Sequence, residues 1–179
     1  MRPRSILSIG FAVAMLLVVS HGAFAGETAA PGKIDAKAAF ERLKALAGDW
    51  QGSTGMEGVS ASVIYRVGSN GTIVTETLFP NSNHEMMTVY FLQGDDLVAT
   101  HYCAAGNQPH FKLDLAKSTP TDLVFAFDGG TGFDAAKDGH VHDGMIKFSG
   151  DGKLDTSWVF YAGGERKGAN EFHLTRAAK

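Results

Sequence analysis

Residues 59–79 read VSASVIYRVGSNGTIVTETLF, and the reading of the fold starts from them. Two runs of strand-forming residues, Val59 to Val67 and Thr72 to Phe79, flank Ser69-Asn70-Gly71. Asn followed by Gly between such runs is a strong hairpin signal, because both tolerate the positive φ that tight hairpin turns need. Similar runs follow at short intervals: His84 to Leu92, Leu97 to Cys103, Phe111 to Leu115, Leu123 to Phe127, Val141 to Phe148, Leu154 to Tyr161 and Asn170 to Thr175. With Trp50 and its neighbours at the start, the series amounts to about ten strands. All links but two are short enough for hairpins, so the expected fold is all-β, an up-and-down antiparallel barrel whose closure removes the sticky sheet edges. Ahead of it, Ala36, Ala39, Phe40, Leu43 and Leu46 recur at helical spacing, with Asp35 as N-cap and Gly48 as stop. One short amphipathic helix is expected there, as a lid over a barrel end.

Outside the barrel, Met1 to Ala25 carries Arg2 and Arg4, an apolar run from Ile6 to Val19 and a small-x-small site at Ala23-Phe24-Ala25. This is the layout of a cleavable signal peptide, giving a periplasmic or secreted protein that starts at Gly26 and keeps no membrane span. Residues 26–34 read as a flexible leader and 35–179 as one domain. Such a chain buries roughly 70% of its unfolded surface and needs no disulfide. Cys103 is the only cysteine, so none can form within the chain. The formal net charge is −3, without a Lys/Arg cluster, which argues against nucleic acid as partner. Oligomeric state is not legible.

Gly48-Asp49-Trp50, where the helix meets the first strand, and Phe172, Leu174 and Arg176, alternating along the last, carry a resemblance. The pattern resembles that of the lipocalins and wider calycins, in which an early Gly-x-Trp packs against an Arg from the closing strand. The resemblance implies a structural pair, Trp50 with Arg176, and a ligand-binding barrel. The strand count and the lack of disulfides are more similar to fatty-acid-binding proteins, nitrobindins and the lipocalin-like domains of exported bacterial proteins.

Alternating turns sort to alternating barrel ends, and the longest connections, Ala104 to Pro109 and Gly129 to Gly139, fall at one end together with Pro80 to Asn83. Long loops in compact domains are uncommon unless functional. His84, His101, His110, His140 and His142 lie in or beside that end, so the expected site is a His-rich mouth above an aromatic floor. The candidate ligand-binding residues are His84, His101, Tyr102, His140, His142, Phe125, Phe148, Trp158 and Phe160. Strand parity puts His140 and His142 on the inner side with Ile146 and Phe148. A small, hydrophobic ligand is the favoured partner.

No cofactor is assigned, but two alternatives stay open. Haem, Zn or Cu could be held by His101, Cys103, His140 and His142, two same-face pairs spaced i, i+2. Catalysis could use His101 or His142 as general base with Glu76, Tyr90 or Tyr102 as partner, although no nucleophile elbow, metalloprotease signature or phosphate loop occurs.

Overall fold

The computed structural model describes residues 32–178. The signal-peptide assignment, and the leader up to Pro31, lie outside the described residues. Among the described residues, helix α1 (Ala36–Lys44) precedes ten strands. They are β1 (Gly48–Thr54), β2 (Ser60–Gly68), β3 (Ile73–Leu78), β4 (Met86–Gln93), β5 (Asp96–Tyr102), β6 (Gln108–Leu113), β7 (Asp122–Thr131), β8 (His140–Phe148), β9 (Lys153–Ala162) and β10 (Glu165–Arg176). Each strand pairs antiparallel with the next and β10 pairs with β1, closing an up-and-down barrel. No described helix is long and apolar enough to cross a membrane.

The hairpin around Ser69-Asn70-Gly71 joins β2 to β3. Its turn is a single 3₁₀ turn over Ser69–Gly71 with Ser69, Asn70 and Gly71 all at positive φ (48°, 55° and 85°). Val63 opposes Leu78 and Tyr65 opposes Glu76, so the inward side chains of both strands meet in register. Two strands outrun the apolar pattern. β7 continues to Thr131, and β10 begins at Glu165, straight after a two-residue turn in which Gly163 and Gly164 have φ of 63° and 73°. Glu165 to Ala169 are polar or small and give no alternation; backbone pairing with β9 makes them a strand.

Helix α1 forms because Asp35 caps it, Oδ1 accepting from the Ala38 N–H at 2.7 Å. Its buried face, Ala36, Ala39, Phe40 and Leu43, packs against β4 and β5 and closes the end where the short turns gather. Arg176 ties that end together. It opposes Trp50 in register, its guanidinium lies 4.6 Å over the indole, and it donates to the Ala47 and Ala45 carbonyls at 2.8 and 2.7 Å. Those carbonyls follow the last turn of α1 and would otherwise lack partners. The Trp50 indole N–H donates to Leu46 O at 2.8 Å. Leu97, Leu123, Ile146, Leu154 and Leu174 fill the barrel, leaving the opposite end to the long loops.

Candidate binding site

At the long-loop end a cavity of about 660 Å³ opens between the β1–β2 turn, the β3–β4 loop and the middle of β10. Met56, Val59, Phe79, Met86 and Phe172 give it apolar walls, with Ser60, Ser82, His84 and Asn170 among the polar groups at its edge. Volumes of about 300 to 1,000 Å³ with this make-up are typical of small-molecule sites. Local structure builds each wall. Thr54 is buried, its hydroxyl donating to Val59 O at 3.0 Å and accepting from the Met56 N–H at 3.1 Å, which folds the turn over the cavity. Phe79 sits at φ 50°, a conformation that costs a bulky residue energy and that gathers at ligand clamps. Its ring meets Phe172 at 5.9 Å.

One residue layer deeper lies a row of polar side chains. Tyr65 of β2 opposes Glu76 of β3, Glu76 opposes Thr88 of β4, and Thr88 opposes His101 of β5. All four are buried. Tyr90 donates its hydroxyl to Glu76 Oε2, and Thr88 Oγ1 shares a hydrogen bond with His101 Nδ1 at 2.9 Å. Across the barrel His101 stacks on Trp158 at 6.5 Å, and Phe111 packs on the same indole at 5.4 Å. Five of these inward atoms have no protein hydrogen-bond partner: Tyr65 Oη, Glu76 Oε1, His101 Nε2, Thr156 Oγ1 and Trp158 Nε1. Burial drives the titration of the row. It raises the Glu76 carboxyl to about 7, against the opposing pull of the Tyr90 hydrogen bond and of the nearby Tyr65 hydroxyl. Burial lowers His101 to about 4, so that its imidazole is neutral at pH 7, and it pushes both tyrosines up, with the Glu76 charge adding to the effect.

The predicted site residues scatter over five places. His84 lines the mouth cavity. His101, Phe125 and Trp158 are buried in the barrel centre, where Phe125 packs on Tyr90 at 5.5 Å. Tyr102 faces outward, 49% exposed and opposite Met87, because the inner face of β5 belongs to Leu97, Ala99 and His101. Phe148 lies at the closed end under the Arg42 guanidinium, 4.2 Å from its ring centroid, so it belongs to the helix contact rather than to the mouth.

His140 and His142 correct the parity argument, whereas Phe160 keeps the face of Trp158. A bulge between Val141 and Asp143 inserts one residue into β8. Ahead of the bulge the alternation is therefore inverted: Val141 opposes Phe160 while His140 opposes Tyr161, on the other face from Trp158. The direct pairing of β7 with β8 runs only from Asp122↔Lys147 to Phe125↔Gly144. Beyond it His142 is sandwiched between Phe127 at 4.5 Å and Tyr161 at 4.1 Å, with Nδ1 on Asp143 Oδ2 at 2.9 Å. His140 is fully buried beneath Phe133 and Phe127 and bonds Asp138 O through Nδ1. A solvated, His-rich mouth is thus not what the fold builds, since His101 is buried inside the barrel and His140 is buried on its outer face beneath Phe133 and Phe127. Nor does it assemble the proposed metal set, and among the described residues no group of three or more His, Cys, Asp or Glu side chains is placed to hold an ion.

Sequence reading named Glu76 and Tyr90 only as partners for a catalytic histidine and passed over Tyr65, Thr88 and Thr156. Their polar character inside alternating strands was the available signal. The layer also depends on a glycine, since a Cβ on Gly144 would overlap the six-membered ring of Trp158. Gly144→Ala should lower stability by about 1 to 3 kcal/mol, the usual range for overpacking, and shift tryptophan emission. A loss under about 0.5 kcal/mol with unchanged emission would show that the indole moves freely. Comparison with known proteins adds no family: neither a scan against family models nor a search of curated proteins returns a match.

Proposed function

We propose that this is an exported, lipocalin-like binding protein that holds a small, largely hydrophobic molecule in the open end of its barrel. The observation that carries the reading is the cavity of about 660 Å³, walled by Met56, Val59, Phe79, Met86 and Phe172 at the end opposite the helix. Two of its walls are unbranched methionines, which adapt to ligands of different shape. The signal-peptide layout of residues 1–25 supports export, and mass measurement on envelope protein should find Gly26 as the N-terminus; intact Met1 would overturn that part.

Adjacent methionines give the test of the cavity. Met86 lines it, while Met87 lies on the outer surface, 37% exposed. A neutral, polarity-sensitive naphthalene fluorophore should bind with one-to-one stoichiometry. Met86→Trp should fill the space and weaken that binding at least tenfold, whereas Met87→Trp should leave it within twofold. Equal effects of the two changes, or no saturable binding to the unaltered protein, would remove the cavity from consideration.

A further inference from the structure

The buried polar row and the mouth cavity share walls. Met86 of the cavity and Thr88 of the row are successive inward residues of β4, about 7 Å apart along the strand. Phe172 of the cavity opposes Thr156, and Asn170, also on its wall, opposes Trp158. The unpartnered atoms of Thr156, Trp158, His101 and Glu76 thus lie beneath the cavity lining, one step further along or across the same strands.

We propose that this row receives the polar end of the cavity's ligand, and that the ligand is an amphipathic primary amine whose ammonium group pairs with Glu76. The inference rests on the cavity reading above. Its argument is one of charge and donor count. Burying a polar atom without a hydrogen bond costs on the order of 1 to 3 kcal/mol, so the four such atoms of this layer that can accept, Tyr65 Oη, Glu76 Oε1, His101 Nε2 and Thr156 Oγ1, mark a place where a donor belongs. No Lys or Arg stands in the row, and the closed-end arginines are engaged elsewhere, Arg42 with Phe148 and Arg176 with Trp50. An anionic head would face a carboxyl with no counter-charge. An ammonium group brings three N–H donors and one positive charge. Glu76 Oε1, Thr156 Oγ1 and His101 Nε2, with the imidazole proton on Nδ1 toward Thr88, offer three acceptors. The aromatic residues around the row, Tyr65, Tyr90 and Trp158, suit a cation further.

Calorimetry on the unaltered protein with octylamine, octanol and octanoate separates the possibilities, because the three share one chain and differ only in the head. The amine should bind at least tenfold tighter than the alcohol, and octanoate more weakly than either. Glu76→Gln should cost the amine at least tenfold and bring amine and alcohol within about threefold of each other. Octanoate binding as tightly as octylamine would overturn the assignment, and so would an amine preference that survives Glu76→Gln. If that variant does not fold, the ranking of the three heads on the unaltered protein still decides. If the fluorophore binds but none of the three chains does, the amine assignment falls while the cavity reading stands. If the fluorophore also fails, both fall.

Discussion

Trp50→Ala should lower the free energy of unfolding by about 3 to 5 kcal/mol, the usual cost of deleting a buried aromatic side chain. Trp50 is only 3% exposed, packs edge-on against Tyr65 at 6.5 Å, and donates its indole N–H to Leu46 O. Its removal also takes away the surface on which Arg176 rests while holding the Ala45 and Ala47 carbonyls. Three parts of the chain meet there: the exit of α1, the start of β1 and the end of β10. Urea denaturation followed by far-ultraviolet circular dichroism measures the loss, and the midpoint should fall with little change in slope. A loss below about 1 kcal/mol would mean that the barrel closes without this contact.

Glu76→Gln and His101→Gln should give stability profiles of opposite slope in the acid range. In the unaltered protein Glu76 is raised from 4.5 to about 7, so the folded state keeps a proton that the unfolded chain releases. Its contribution is complete below pH 4.5 and is lost as pH rises to about 7. His101 is lowered from 6.5 to about 4, so the folded state refuses a proton that the unfolded chain takes up. Its contribution is complete above pH 6.5 and is lost as pH falls to about 4. Between pH 4.5 and 6.5 the two slopes oppose each other and nearly cancel. With His101 replaced, stability should fall by about 1.4 kcal/mol per pH unit as pH rises through this window. With Glu76 replaced, it should rise by about as much, so that across the window the two variants diverge by several kcal/mol. Denaturant midpoints at half-unit pH steps would show it, and parallel profiles would mean that neither group is buried in the form described.

Much of the barrel was legible because its determinants are local. Alternation in Val59 to Val67, positive-φ residues at Asn70 and Gly71, and short polar links elsewhere each favour a strand or a turn whatever surrounds them. Ten such strands in sequence, with links too short for crossovers, leave little but a meander that closes. The helix was equally plain, since Asp35 and the spacing of Ala36, Ala39, Phe40 and Leu43 need no partner to be read.

The site was less legible, for reasons that lie in the pairing. Alternation inverts at the β8 bulge, and nothing local in Gly139-His140-Val141-His142-Asp143 announces the extra residue, so His140 and His142 were assigned to the wrong face. On β5 alternation alone does not say whether His101 or Tyr102 faces inward; pairing with β4 and β6 puts His101 there. Tyr65, Glu76, Thr88 and His101 lie on four separate strands, and only cross-strand register sets them side by side. By itself, then, the sequence determined the order of elements, the direction of each strand and which end carries the long loops, because these follow from propensity and link length. Tertiary structure alone decided which polar side chains lie in the barrel without partners, because that depends on register, bulges and burial, which are properties of neighbouring strands and not of any one segment.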